Sequence, residues 1–170
     1  MSELSVNLRH ETPADSATID RLHERAFGPG RFARTAYRLR EGISPLASLC
    51  HVATVGTLVV GSIRLSGLWI GKEEAVLLGP LTVEPQFMNR GIGGMLIQRA
   101  LDVAKAEGHH AVILVGDAPY YARAGFKKVP PGQLQMPGPV DPDRLLAVDL
   151  QGGDIARLKG PVLPREAAIG

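Results

Sequence analysis

Two short segments of the chain combine residue types that can do chemistry. The first reads RGIGG at residues 90–94 and lies between an apolar run and an amphipathic segment. The second reads YYARAGF at residues 120–126 and follows another apolar run. A glycine-rich turn at the start of a helix can hold phosphate on its backbone N–H groups, and a tyrosine on a short helix beside it can hold a proton. Together the segments indicate a nucleotide-bearing cofactor held next to an acid.

Gly91, Gly93 and Gly94 are the residues of the first segment that could hold an anion. The first N–H groups of a helix have no intrahelical partner, and glycine places no Cβ between them and a ligand. The spacing alone is more typical of a simple tight turn before a packed helix. Two familiar phosphate-binding alternatives are excluded. A P-loop needs Lys and then Ser or Thr after its last glycine, where this chain has Met95 and Leu96. A dinucleotide-binding fold places its glycine turn after the first strand, whereas several predicted strands and two predicted helices precede the turn in this chain.

The composition limits the class of protein. The 170 residues fit one domain, and 45% hydrophobic with 21% charged residues is typical of a soluble globular protein. A formal net charge of +2 without a basic block argues against nucleic acid as a partner. The single cysteine, Cys50, excludes a disulfide framework and a cysteine-based zinc cluster, and we predict no metal. We see no secretory signal and no apolar run of membrane-spanning length, so we expect no membrane partner and a cytoplasmic location.

Hydrophobic periodicity predicts strands and helices in alternation. Strands are predicted from residue 4 to about residue 10 and at residues 49–55, 58–68, 75–83, 111–115, 126–129 and 144–150. Helices are predicted from residue 12 to the Gly-Pro-Gly at 28–30 and at residues 32–40, 92–107 and 119–124. The tail after Gln151 is weakly patterned.

The segment from residue 75 to residue 115 reads as a strand, a helix and a strand, which is typical of a βαβ unit with two parallel strands. Gly79 and Pro80 interrupt its first strand. Because proline cannot donate a ladder hydrogen bond, we expect a bulge or a splay between neighbouring strands at this point.

These motifs resemble those of the GCN5-related N-acetyltransferases, the GNAT superfamily. Val83-x-Pro85 followed by RGIG is similar to the acyl-CoA-binding segment of that superfamily, and YYARAGF is similar to its later motif. A likeness to one bacterial subgroup of predicted acetyltransferases lies in LGPLTV at 78–83, VGD at 115–117 and MPGPV at 136–140. The resemblance runs from about Leu8 to Leu150.

The resemblance implies a fold and a domain organisation. The fold would be a single α/β domain with a mixed, mostly antiparallel central sheet, which contains a parallel βαβ core splayed at a bulge. The N-acetyltransferase domain would span residues 1–150, and residues 151–170 would form a C-terminal tail packed on or extending the same domain. Superfamily members often dimerise, so a homodimer is also implied.

The implied activity is transfer of an acetyl group from the cosubstrate acetyl-CoA to a primary amine of a small molecule or a protein, directly within a ternary complex. The backbone of Leu81, Thr82 and Val83 would pair with pantetheine like an added strand. The three glycines of the turn would hold the pyrophosphate, and Arg90 could add positive charge or only face solvent. The chain departs from the superfamily at Met88, where glutamine or arginine is usual.

Proton transfer in this reaction needs an acid and a base. Tyr121 matches the acid position of the superfamily, and a reference pKa of about 10 keeps a tyrosine protonated near neutral pH. Tyr120 is the competing candidate and is expected instead to pack near the cofactor, although both rings could simply belong to the core. Glu84 is the candidate base. Alternatively, it is simply an exposed acidic residue before Pro85.

Other polar residues have two interpretations each. Asp117 closes a parallel strand, where it could bind an amine or contact the cofactor, or could only cap the next helix, and capping is favoured. His51 lies on an apolar strand face, which is more typical of a structural histidine. The arginines on the second predicted helix share one face and could attract an acidic acceptor, although a solvated face is favoured; they are Arg31, Arg34 and Arg38.

A second class of protein stays open, namely a non-catalytic acyl-CoA-binding module of the same fold. Met88 and the lack of an assigned base favour that class, whereas Tyr121 opposes it. A third class, a purely structural partner protein, would leave the glycine turn without a purpose.

Overall fold

The molecule is built around one mixed sheet, which a computed structural model describes for residues 5–27 and 35–166. Within these residues there are nine strands: β1 (Val6–His10), β2 (His51–Val55), β3 (Leu58–Ile70), β4 (Glu73–Val83), β5 (Ala111–Val115), β6 (Lys127–Lys128), β7 (Leu134–Gln135), β8 (Leu145–Asp149) and β9 (Gly160–Arg165). The α-helices of the same residues are α1 (Ser16–Phe27), α2 (Thr35–Arg40), α3 (Ile92–Ala106) and α4 (Ala118–Ala122). No helix in these two ranges is long and apolar enough to cross a membrane.

The strand order of the sheet is β1-β2-β3-β4-β5-β8-β6. Along this path β4 and β5 form the parallel pair, and the other neighbours are antiparallel. The predicted α/β fold with a mostly antiparallel sheet and a parallel βαβ core is therefore confirmed. The helix of that core is α3, which connects β4 to β5 and packs on the sheet.

The predicted interruption of β4 is confirmed at Gly79 and Pro80. Opposite them on β3, Ile63 pairs with Leu81 and Leu65 pairs with Leu78, so two residues of β4 face the single residue Arg64. This arrangement is a β-bulge, and Gly79 adopts a φ of 130° that favours glycine.

The splay between β4 and β5 begins beside this bulge. The two strands pair only from Ala75 with Ala111 to Leu77 with Ile113. Beyond this point β4 continues to Val83 and β5 to Val115 without pairing to each other. The backbone of residues 81–83 pairs with β3 on one side only, so its other edge is open.

Two apolar clusters cover the two faces of the sheet. Adjacent residues of β5 alternate between them, with Val112 in one cluster and Ile113 in the other. Helix α3 belongs to the first cluster because Ile92, Leu96 and Ala100 recur at helical spacing and are all buried. This packing fixes the N-terminus of α3 next to the open edge of β4.

Several predicted boundaries differ from those of the structure. The helix expected from residue 12 begins as a 3-10 turn at Pro13–Asp15 and becomes α-helical at Ser16. Of the helix predicted at residues 32–40, the structure describes Thr35–Arg40, and the Gly-Pro-Gly break lies outside the described residues. The strand predicted at 126–129 is shortened to Lys127–Lys128.

The weakly patterned tail contains a strand that the sequence did not predict. Strand β9 pairs antiparallel with β3 and parallel with β7, although it contains Pro161 and Pro164. Arg157, which precedes it, donates to the Asp149 carboxylate at 2.7 Å and also forms an ion pair with Glu73.

The turn before α1 contains a carboxylate that should contribute to stability. Asp15 is buried and accepts two hydrogen bonds from Arg9, at 2.8 and 2.9 Å, and one from the Thr12 N–H at 2.8 Å. The Arg9 hydrogen bonds lower the pKa of Asp15 to about 2. A lowered pKa means that the native state favours the charged form, so the stabilisation is complete above the unfolded-state pKa and is lost as the pH falls towards 2.

We therefore expect Asp15→Asn to lower the free energy of unfolding by about 1–2 kcal/mol at pH 7, and by progressively less below about pH 4. Urea unfolding at pH 7 and pH 3 measures both values. The exposed Asp20 of α1 is the matched control, since Asp20→Asn should change stability little at either pH. Equal stability of Asp15→Asn and the unmodified protein at pH 7 would contradict this assignment.

Candidate active site

The glycine turn forms the N-terminus of α3, as predicted. Gly91 is the N-cap residue, with a φ of 80°, and it supplies no side chain to cap the first turn. Asn89, two residues earlier, also has a positive φ, of 63°. Because no N-cap side chain occupies the first-turn N–H groups of α3, they are available to an anion, and the helix dipole adds partial positive charge there.

A cleft of about 700 Å³ joins this N-terminus to the open edge of β4. Six of the predicted cofactor residues lie along it, together with Met88, which departs from the superfamily pattern; the six are Leu81, Val83, Gly91, Gly93, Gly94 and Tyr120. Tyr120 belongs to α4, so this helix also borders the cleft. The predicted phosphate cradle and the predicted pantetheine strand therefore border one continuous space.

The two adjacent tyrosines have different surroundings. Tyr120 is partly exposed, and its hydroxyl lies so near Gly93 that a Cβ at Gly93 would collide with it. Tyr121 turns inward, where its ring packs against Gly116 at the end of β5 and lies 5.9 Å from the Phe126 ring centre. The structure thus places Tyr120 in the cleft at the glycine turn, and it places Tyr121 beside the end of β5, outside the residues that line the cleft.

The inward position of Tyr121 affects its protonation. Burial raises the pKa of Tyr121 to about 12, and the neighbouring Tyr120 acts in the same direction. Its hydroxyl therefore stays protonated throughout the neutral range, as a proton donor must. Burial also raises the pKa of Tyr120.

Glu84, the candidate base, follows β4 directly and has a partner that the sequence did not predict. Its carboxylate forms an ion pair with Arg25 of α1, and its backbone N–H donates to Val60 at 2.8 Å. The ion pair ties the end of β4 to α1. A base at this position would have to accept a proton beside a guanidinium.

The remaining predicted site residues lie outside the cleft or at its margin. Asp117 accepts a hydrogen bond from the Tyr120 N–H at 3.3 Å and so caps α4, which is the favoured alternative. Thr82 is buried, and the Arg90 guanidinium stacks 5.5 Å from the Phe87 ring centre. His51 is fully buried against the His10 ring, and burial lowers its pKa, in keeping with a structural role.

Of the three arginines predicted on the second helix, the structure describes one. Arg38 is directed to the Pro137 carbonyl at 3.5 Å, whereas Arg31 and Arg34 lie outside the described residues. Their shared face is therefore not described.

Several residues that line the cleft were not predicted from the sequence. They are Phe87, Asn89, Ile92, Ile97, Gln98, Arg123 and Ala124. For Arg123 a signal was present, because it stands three residues after Tyr120 and so shares a face of α4 with it. For Gln98 no comparable signal existed, since it looks like any polar residue on an amphipathic helix.

Comparisons with known proteins agree with this geometry. The model of the acetyltransferase (GNAT) domain matches residues 47–128. YhbS of Escherichia coli (strain K12), named as an uncharacterized N-acetyltransferase, is 30% identical over 122 residues, which cover 71% of this chain and 72% of that protein.

Two solved structures resemble the molecule as a whole. The crystal structure of YhbS from Escherichia coli in complex with CoA has a TM-score of 0.82 at 26% identity, covering 97% of this chain and 92% of that one. A GNAT acetyltransferase from Brucella melitensis in complex with acetyl-CoA has a TM-score of 0.61 at 28% identity, covering 85% of this chain and 96% of that one.

Splayed strands beside an open helix N-terminus, together with these relatives, define an acyltransferase of the N-acetyltransferase class. The chain belongs to the GNAT family.

Proposed function

We propose that the protein transfers the acetyl group of acetyl-CoA to a primary amine of a small molecule or a protein by direct attack in a ternary complex. The observation that carries this proposal is the open edge of β4, which leads into the cleft at the N-terminus of α3. CoA in the YhbS structure and acetyl-CoA in the Brucella melitensis structure support the choice of cosubstrate.

The cofactor would lie along the cleft in an extended form. The open backbone of Leu81 and Val83 can pair with the amide groups of pantetheine as a strand pairs with a sheet edge. The first-turn amides at Gly93 and Gly94 can hold the pyrophosphate. Backbone groups supply both contacts, so Met88 does not prevent either of them.

The transfer of the acetyl group requires two proton movements. The nitrogen lone pair of the neutral amine attacks the thioester carbonyl carbon, the C–N bond forms, and the C–S bond then breaks. The nitrogen loses one proton, and the departing sulfur gains one. Tyr121 is the proposed donor to the sulfur because it is protonated and lies where β5 parts from β4.

Glu84 is the proposed acceptor of the amine proton, in competition with its ion pair to Arg25. If it acts as the base, Glu84→Gln should lower kcat about tenfold near neutral pH, and the deficit should shrink at high pH, where the amine deprotonates in water. Arg25→Gln breaks the same ion pair and keeps the carboxylate, so it controls for structural loss. A deficit that is equal in both variants and independent of pH would show that only the ion pair matters.

The transfer itself is tested with the purified full chain, acetyl-CoA and a panel of amines. The panel should include amino acids, polyamines, aminoglycosides and peptides with free lysine or N-terminal amines. We expect free CoA thiol to be released and the mass of one amine to increase by one acetyl group. Cofactor binding without transfer to any amine would favour the non-catalytic acyl-CoA-binding module.

We propose that the protein is cytoplasmic, as its sequence indicates, and that it forms a homodimer, as the resemblance implies. Sedimentation of the full chain would decide the oligomeric state.

A further inference from the structure

The cleft contains a single formal charge among the residues that the structure describes. Arg123 is the only ionised side chain lining it near neutral pH, and the others are apolar, glycine or neutral polar groups. A cleft that presents a cation and no carboxylate favours an anionic ligand.

Arg123 lines the cleft from the C-terminal end of α4. It follows the last residue of α4 and lies one turn beyond Tyr120, whose hydroxyl reaches Gly93. The guanidinium is nevertheless close enough for its charge to affect the ionisation of Tyr120. Its side chain is exposed, and it makes no ion pair with any residue in the ranges 5–27 and 35–166.

CoA carries negative charge at two places, the pyrophosphate and the 3′-phosphate of the ribose. The amides at the start of α3 already suit the pyrophosphate. We propose that Arg123 binds the 3′-phosphate of CoA and thereby selects CoA over dephospho-CoA. This inference rests on the proposed function, since it assumes that CoA occupies the cleft.

The chemistry of an arginine and a phosphate suits this role. A guanidinium presents parallel N–H donors that match two phosphate oxygens, and the contact is charge-assisted. Because Arg123 is exposed, screening limits its contribution, and we expect about a fivefold preference for CoA at low salt that narrows as salt is added.

The experiment is calorimetric titration of the full chain with CoA and with dephospho-CoA, at low and at moderate salt. Three proteins are compared: the unmodified chain, Arg123→Gln and Lys127→Gln. Lys127→Gln is the matched control because it also removes one positive charge. Lys127 is exposed and lies on β6, outside the cleft.

We expect the unmodified chain and Lys127→Gln to bind CoA about five times more tightly than dephospho-CoA. Arg123→Gln should bind the two ligands equally, with its dephospho-CoA affinity unchanged. An equal loss of affinity for both ligands in Arg123→Gln would assign the arginine to the pyrophosphate and overturn the proposal. A lack of preference in the unmodified chain would also overturn it and leave the proposed function intact, whereas binding of neither ligand would contradict the proposed function itself.

Discussion

Tyr121→Phe is expected to lower kcat for acetyl transfer about 100-fold and to leave the KM for acetyl-CoA nearly unchanged. The substitution removes one hydroxyl and keeps the ring packed against Gly116 and Phe126. Without the hydroxyl the sulfur must leave as a thiolate with no protein donor. The effect should therefore fall on the chemical step rather than on cofactor binding.

The pH dependence adds a second signature. Because burial raises the pKa of Tyr121 to about 12, the hydroxyl is protonated at every pH at which the folded protein can be assayed conveniently. The deficit of the variant should thus be the same from about pH 7 to about pH 10, unlike the deficit predicted for a missing base.

Tyr120→Phe is the matched comparison for this prediction. Tyr120 has the same ring, but its hydroxyl lies at Gly93 in the phosphate cradle. Its loss should appear mainly in the KM for acetyl-CoA. Steady-state kinetics of both variants with one acceptor separates the roles, and a Tyr121→Phe enzyme with the full kcat would show that Tyr121 is not the acid.

Gly94→Ala is expected to stabilise the free protein and to weaken cofactor binding at the same time. Gly94 is the third residue of α3, and a Cβ there would meet no heavy atom of the protein within 4 Å. Alanine is the better helix former, so the free energy of unfolding should rise by about 0.5 kcal/mol. The added methyl group, however, would enter the proposed pyrophosphate site, and we expect the Kd for CoA to rise about 20-fold.

A folding defect would lower both stability and CoA affinity, whereas Gly94→Ala is expected to raise the first and lower the second. Gly93→Ala is the contrasting variant, because a Cβ at Gly93 would collide with the Tyr120 hydroxyl even in the free protein. It should weaken binding without any gain in stability. Thermal unfolding and calorimetry of both variants make the comparison. An unchanged CoA affinity in Gly94→Ala would show that the pyrophosphate does not bind at this turn.

The parts of the fold that could be predicted are those determined by residues close together in the sequence. The bulge at Gly79 and Pro80 follows from the missing N–H of proline, and the start of α3 follows from the glycine turn before an apolar helical stripe. Strand β9 was not predicted because the tail after Gln151 is weakly patterned, and its Pro161 and Pro164 are unfavourable in a strand. It pairs with β3 over a distance in sequence that no local pattern encodes.

The site was predictable in its backbone and less so in its side chains. The glycine turn and the strand edge proposed for pantetheine were predicted from spacing and resemblance, and the structure places both on one cleft. In contrast, Tyr120 and Tyr121 are adjacent in sequence, and only the direction of each side chain on α4 separates their surroundings. The partner of Glu84 was not predictable either, since Arg25 lies far away along the chain and meets it only when α1 packs against β4.

The most direct measurement is calorimetric titration of the purified full chain with acetyl-CoA and with CoA. The central claim is that the cleft between β4 and α3 holds this cofactor, and it predicts binding of both ligands at one site with Kd values of about micromolar magnitude. The absence of binding heat for either ligand up to about millimolar concentration, at two temperatures, would contradict the claim. The same result would also contradict the roles proposed for Gly94 and Tyr121.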